Sequence, residues 1–112
     1  MVPPLPTLRR RAEFDAVMRS GTARSHRILV LRWRRTDRAE TRVGFSTPRS
    51  LGGAVVRNRV RRRLRDIARE RLNQIGAGYD LLLIARPDAA GASFAELRSA
   101  TTTLLERAGI GQ

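Results

Sequence analysis

Residues 54–75 read AVVRNRVRRRLRDIARERLNQI, and the periodicity of this stretch decides how the rest of the chain must be arranged around it. On a helix turning about 100° per residue, Val56, Val60, Leu64, Ile67, Ala68, Leu72 and Ile75 fall within one arc of roughly 160°. Asn58, Arg59, Arg62, Arg63, Arg65 and Arg69 fall on the other side, with Arg57 and Arg61 along the edge of the apolar arc. The apolar arc needs a sheet or another helix to cover it. Eight arginines lie between positions 57 and 71 against two acids, Asp66 and Glu70. Their mutual repulsion costs stability unless phosphate oxygens or released counterions compensate.

Composition favours a polyanionic partner over a merely solvated helix. The 112 residues suffice for one domain, 1–112, with a single core of two packed layers. The net charge is +13, and all 23 basic residues are arginine. A GC-rich genome accounts for arginine in place of lysine but not for the charge itself. The guanidinium fork matches phosphate bidentately and its plane stacks on bases, which suits nucleic acid. Residues 1–75 hold 20 arginines against 6 acids and residues 76–112 hold 3 against 4, so the basic footprint belongs to the first two-thirds. Cysteine is absent, which excludes a disulfide framework and thiolate metal sites. No apolar run approaches the roughly 18 residues of a membrane span, and Met1-Val-Pro-Pro-Leu-Pro lacks the apolar core of a signal peptide. A cytoplasmic protein with no membrane partner is expected. Five aromatics are too few for a broad base-stacking platform.

Around the central helix the chain divides into short elements. Residues 1–6 form a proline-rich, flexible lead-in, after which Thr7 can cap a helix over 7–20 with Leu8, Phe14, Val17 and Met18 at near-helical spacing and Gly21 as its stop. Arg9-Arg10-Arg11 then lies in the first turn, where the macrodipole disfavours cations unless anions arrive there. Residues 27–34 alternate, with Ile28, Val30 and Arg32 facing one way and Leu29, Leu31 and Trp33 the other, as a strand does. Residues 41–47 alternate again across a polar turn, predicting an antiparallel hairpin of the two; a further short strand before residue 27 is possible. Gly76-Ala77-Gly78 stops the central helix, and the apolar run from Tyr79 to Ala85 reads as a strand interior to the sheet. Ser93 caps a last helix that puts Phe94, Leu97, Ala100, Thr101, Leu104 and Leu105 on one face. The order α-β-β-α-β-α defines a small α+β two-layer sandwich with helices mainly on one sheet face.

Catalytic constellations are hard to find. His26 is the single histidine and has no sequence-near carboxylate, so a surface or hydrogen-bonding role is expected. The ten acids are scattered, and Asp66 and Glu70 stand at i,i+3 and i,i+4 spacing from arginines, as ordinary helix ion pairs do. Two-metal nuclease chemistry needs several acids on one site. Asn58 either orients the arginines beside it or is a helix residue without a partner.

The run Gly52-Gly-Ala-Val-Val-Arg57-Asn58-Arg59-Val60-Arg61-Arg62-Arg63-Leu64-Arg65 resembles the RNR motif of the bacterial ribonuclease P protein family. Leu8 through Glu13-Phe14 to Gly21, Arg42-Val43-Gly44-Phe45-Ser46 and Tyr79-Asp80 through Ala85-Arg86 resemble its first helix, inner strand and last strand in the right order. The resemblance implies a fold related to the second domain of ribosomal protein S five, with a left-handed βαβ crossover through the RNR helix, an exception to the usual hand. It implies an RNA-binding protein subunit assisting magnesium-dependent removal of the 5′ leader from precursor tRNA, with catalysis by the RNA and no catalytic or metal-ligating residue in this chain. Arg57, Asn58, Arg59, Arg61, Arg62 and Arg65 would face the ribonuclease P RNA, and Phe14, Met18, Val30 and Arg32 would line the leader cleft. Magnesium would be held through RNA and substrate, and one protein monomer would serve each RNA.

The chain departs from the family where Met18 and Arg32 replace positions at which many members carry aromatics, so leader binding is expected to rest more on phosphate than on stacking. Gly53 stands where an asparagine cap is frequent, weakening the helix start by a few tenths of a kcal/mol. The alternatives are a ribosomal or RNA-chaperone protein of the same fold without a processing role, and a protein-only nuclease using scattered acids.

Overall fold

A computed structural model describes residues 4–110. Three helices and four strands follow in the order α1 (Arg11–Ser20), β1 (Thr22–Ser25), β2 (Leu29–Arg35), β3 (Arg42–Ser46), α2 (Ala54–Arg71), β4 (Tyr79–Ala85) and α3 (Phe94–Ala108). The strands form one mixed sheet in the order β1-β2-β4-β3. β4 is its centre, because a strand apolar on both faces needs cover on both and pairs along both edges. It runs antiparallel to β2, with Leu31 opposite Leu83, and parallel to β3, with Phe45 opposite Leu83.

The expected hairpin of residues 27–34 with 41–47 is therefore corrected: β4 lies between them. Neighbouring strands are only about 4.8 Å apart, so the connection through 36–41 easily crosses one intervening strand. The hairpin that does form is β1 with β2, pairing Thr22 with Trp33 and Ser25 with Val30, which fulfils the extra strand before residue 27. β3, α2 and β4 make the parallel crossover unit.

The main core lies between one sheet face and α2 with α3. Leu29, Leu31, Val43, Leu81 and Leu83 from the sheet meet Val60, Leu64, Ile67 and Ala68 of α2 and Leu97, Ala100, Leu104 and Leu105 of α3. Each fully buried Leu or Ile contributes roughly 1.5–3 kcal/mol. Val56 packs at the margin of this core from α2; the helix ends at Arg71 rather than running to 75 as the periodicity predicts, so Leu72, in a tighter turn over Leu72–Gln74, and Ile75, in extended backbone, reach the same margin from beyond it. Ile28 is buried in the same core, so the strand alternation begins one residue later than expected.

α1 covers the opposite sheet face, where Leu8, Val17 and Leu82 form a second cluster with Phe14 and Ile84. It starts at Arg11, with Arg10 at its N-cap, rather than at a Thr7 cap. Thr7 instead pairs with Val43 in a parallel bridge; the Val43 N–H donates to Pro6 O at 3.0 Å and the Leu8 N–H to Val43 O at 3.1 Å. Leu5 is buried, so the lead-in is held against the free edge of β3 from that residue, and positions 1–3 lie outside the described residues. α3 begins at Ser93, whose Oγ accepts the Glu96 N–H at 3.1 Å while Glu96 returns a bond to the Ser93 N–H at 2.9 Å, and it ends at Gly109 in the left-handed conformation.

Candidate nucleic-acid interface

α2 begins bare. Gly53 at its N-cap supplies no side-chain acceptor to the first turn. From there the arginines divide by where the helix rotation carries them. Asn58, Arg62 and Arg65 are exposed, whereas Arg57, Arg59, Arg61 and Arg63 are partly buried along the helix flanks.

Three of the four flank arginines are held by the protein, whereas the Arg57 Nε is buried without a hydrogen-bond partner among the described residues. Arg59 Nη2 donates to Ala90 O at 3.0 Å and Arg63 Nη1 to Ala92 O at 3.2 Å, tying α2 to the turn at Pro87–Gly91. On the other flank, Arg61 Nη1 donates to Asn58 Oδ1 at 3.0 Å and Nη2 donates to Thr47 Oγ1. Asn58 therefore has a partner, but it is Arg61 one turn on rather than the arginines beside it. Arg65 lies over the Phe45 ring, 5.8 Å from its centroid, within cation–π range. Arg62 makes no side-chain ion pair or hydrogen bond among the described residues. Periodicity alone does not find Thr47 and Phe45; the signal for them is Arg61 at the edge of the apolar arc, where a side chain must run along the sheet.

Asp66 pairs with Arg69 at 3.3 Å within the helix, while Glu70 reaches across to Arg98 of α3 at 2.9 Å. Asp66 thus engages Arg69, and Arg71 Nη1 donates to Gln74 Oε1 at 2.9 Å, so the open cationic surface is the N-terminal two-thirds of α2.

A second surface lies between α1 and the sheet. Val30 sits opposite Ile84, which sits opposite Ser46, and the next row is Arg32, Leu82 and Gly44. Phe14 lies over this face because Gly44 has no side chain: a Cβ there would stand 2.8 Å from Phe14 Cε1 and 3.0 Å from Leu8 Cδ1. Met18 is 46% exposed on the same side of α1. Arg32 is in the cleft, but its Nη2 donates to Met18 O at 2.7 Å and lies 3.5 Å from Gly21 O. This guanidinium closes the C-terminal end of α1, where the dipole favours a cation.

Below that cleft runs a charge network that sequence reasoning missed. Asp80 is fully buried and accepts from Arg42 Nε at 2.9 Å and Arg42 Nη2 at 2.8 Å, with Arg34 Nη2 at 3.6 Å. Arg42 also donates through Nη1 to Glu13 of α1. The Glu13 carboxylate accepts the backbone N–H groups of Arg10 at 2.9 Å and Arg9 at 2.7 Å, and these bonds together with Arg42 push its pKa down to about 2. Hydrogen bonding to Asp80 raises the pKa of Arg42 still further. The available signal was an acid at the second position of an otherwise apolar strand.

His26 has the hydrogen-bonding role expected of it, its Nδ1 accepting from the Ile28 N–H at 3.2 Å. Among the described residues no three His, Cys, Asp or Glu side chains gather where a metal ion could be held, and no helix is long and apolar enough to cross a membrane.

Fold and surfaces together define a small, strongly basic α+β protein that offers an arginine helix and a separate apolar cleft to a polyanion. The family model for ribonuclease P matches residues 3–109. The chain belongs to the ribonuclease P protein family. It is 46% identical over 109 residues to the ribonuclease P protein component of Acidothermus cellulolyticus, covering 96% of this chain and 91% of the relative. It is 40% identical to that of a Roseiflexus species, covering 94% and 87%. The RNase P protein of Thermotoga maritima superposes with a TM-score of 0.82 at 27% identity over 90% of this chain and 96% of the other. That of Staphylococcus aureus gives 0.89 at 22% identity over 97% and 100%, a likeness of fold. Membership makes the chain a subunit of a ribonucleoprotein endoribonuclease of tRNA processing, partnered with ribonuclease P RNA. The comparisons lend nothing to the ribosomal or chaperone alternative.

Proposed function

We propose that the whole chain works as one RNA-binding unit that docks on ribonuclease P RNA through α2 and holds the 5′ leader of precursor tRNA in the cleft under α1. Arg57, Asn58, Arg59, Arg61, Arg62 and Arg65 face the RNA subunit; Phe14, Met18, Val30 and Arg32 line the leader path. The observation that carries this reading is the division of α2, in which Arg62 projects freely and the exposed Arg65 rests over the Phe45 ring, while Thr47 and Asn58 hold Arg61 in place. Phosphate contacts of this kind fix register and supply affinity without reading sequence.

On this reading the hydrolysis belongs to the RNA, with magnesium held by RNA and substrate, in the cytoplasm, and with one protein monomer per RNA. The protein's part is to hold the leader and the RNA in a fixed relation, lowering the magnesium that the reaction requires. In the cleft, Phe14 offers a ring edge or face and Val30 an apolar floor, so leader nucleotides pack against the sheet. Because Arg32 Nη2 is engaged with α1 and its Nε is buried, phosphate contact there falls to Nη1 and to arginines outside the cleft.

The test mixes the protein, a precursor tRNA carrying a leader, and magnesium, with and without the ribonuclease P RNA transcript. Cleavage only when RNA is present, accelerated by protein at low magnesium, is expected. Cleavage by protein alone, or no effect on the RNA's rate, overturns the proposal.

A further inference from the structure

A third concavity lies on the α3 side of the sheet, away from the leader cleft. It has a volume of about 520 Å³ and is lined by Thr22, Trp33, Arg34, Arg35, Tyr79 and the end of α3 from Ala108 to Ile110. The neighbouring sheet residues Leu29, Leu31 and Leu81 are covered by α2 and α3, but Trp33 and Tyr79, at the end of the same face, remain partly exposed. Two of the chain's five aromatic residues thus border one opening.

The lining contains two arginines and no carboxylate; Arg34 also lies 3.6 Å from the buried Asp80 behind it, while Arg35 has no acidic partner among the described residues. The Arg24 guanidinium lies over Trp33, 5.6 Å from the ring centroid, and that of Arg35 over Tyr79 at 5.2 Å. A concavity of this size accommodates a single nucleotide. Partly exposed rings flanked by guanidiniums are the combination that holds unpaired bases: the π-face is sequence-tolerant, and the cations take the phosphates.

We infer that this pocket binds one unpaired nucleotide of RNA, its base against Trp33 and Tyr79 and its phosphate toward Arg34 and Arg35. The site is separate from both surfaces assigned above and does not depend on which RNA α2 grips. It gives the protein a third point of RNA contact, on the end of the sheet that α3 leaves open.

Trp33 is the only tryptophan, so its fluorescence reports the pocket directly. The full chain is titrated at low salt with a hexauridylate or hexaadenylate oligonucleotide and, in parallel, with hexaglutamate. The oligonucleotides are expected to quench Trp33 saturably and hexaglutamate to leave it unchanged. Arg35→Glu, at an exposed position, should weaken the quench about tenfold or more, and Tyr79→Leu about tenfold. The double variant Arg62→Ala/Arg65→Ala should keep the quench midpoint within about twofold of the parent. Circular dichroism establishes that each variant is folded, and Arg35→Glu carries the test if Tyr79→Leu is not. Four results overturn the inference: no quench when filter binding shows the oligonucleotide bound, an equal quench by hexaglutamate, an unchanged midpoint in Arg35→Glu, or a quench lost in the α2 double variant.

Discussion

The Arg42 guanidinium closes on the fully buried Asp80 carboxylate through two hydrogen bonds of 2.9 and 2.8 Å, joining the free-edge strand β3 to the central strand β4. The same guanidinium reaches Glu13, so one side chain links both strands to α1. Removing one partner of a buried pair leaves an uncompensated charge, which costs about 3–5 kcal/mol. Arg42→Met should lower the urea unfolding free energy by that amount, with Arg34 at 3.6 Å too distant to replace both bonds. The double variant Arg42→Met/Asp80→Leu should recover most of the loss. A loss below about 1 kcal/mol in the single variant would show that the pair does not hold the strands together.

Glu13 makes the fold acid-sensitive. Its pKa is about 2 in the folded chain against 4.5 ordinarily, so the folded state favours the ionised form. The stabilisation is fully present above pH 4.5 and is lost as pH falls toward about 2. Glu96, held low by the N–H and hydroxyl of Ser93, adds a contribution of the same sign. Urea unfolding at several pH values should therefore show stability falling through this window, with a shallower fall in Glu13→Gln. Equal slopes for the two proteins would remove Glu13 from the acid response.

The arginines of α2 should separate in two different measurements. Arg62→Ala and Arg65→Ala are expected to reduce the salt slope of RNA-subunit binding by about 0.7–0.9 for each lost phosphate contact. Thermal stability should stay within about 0.5 kcal/mol. Arg63→Ala, which loses its bond to Ala92 O, should do the reverse, costing about 1–2 kcal/mol of stability with little change in slope. An unchanged slope in Arg62→Ala would take that residue out of the interface.

How far these features could be read in advance depends on how local their causes are. The two sides of α2 follow from a 3.6-residue period, and the central place of β4 from an apolar run without alternation, so both were readable. Pairing partners were not, because adjacency in sequence favours a β2–β3 hairpin and only the whole sheet shows that β4 intervenes. Thr7 has the chemistry of a cap, yet the open edge of β3 offers it and its neighbours backbone bonds instead. Arg42 and Asp80 are 38 positions apart, and Arg61 and Thr47 14 apart; both contacts are consequences of strand register and helix rotation together. The cleft residues were named by resemblance and do gather, but the engagement of Arg32 by Met18 O depends on where α1 ends.

Thr47→Val tests whether holding Arg61 matters to binding. Valine keeps the volume of a buried side chain and removes the hydroxyl that accepts from Arg61. The charge of Arg61 remains, so the salt slope should not change, but the guanidinium must now be ordered on binding. Affinity for the RNA subunit should fall roughly two- to tenfold, the cost of fixing one long side chain. A changed slope with unchanged affinity would contradict this role.

Arg32→Met distinguishes a phosphate ligand from a helix clamp. Methionine preserves much of the stem that lies along the sheet and removes every donor. If the guanidinium serves chiefly to close α1, the variant should lose about 1 kcal/mol of stability, the ordinary worth of such a bond. Amide exchange should also accelerate in the last turn of α1, where Met18 O loses its partner. The salt slope for binding leader-bearing precursor tRNA should change by less than half a unit, because Nη2 is already occupied in the free protein. Stability and exchange that match the parent, with the slope reduced by about 0.7, would instead assign Arg32 to the single-stranded leader phosphate.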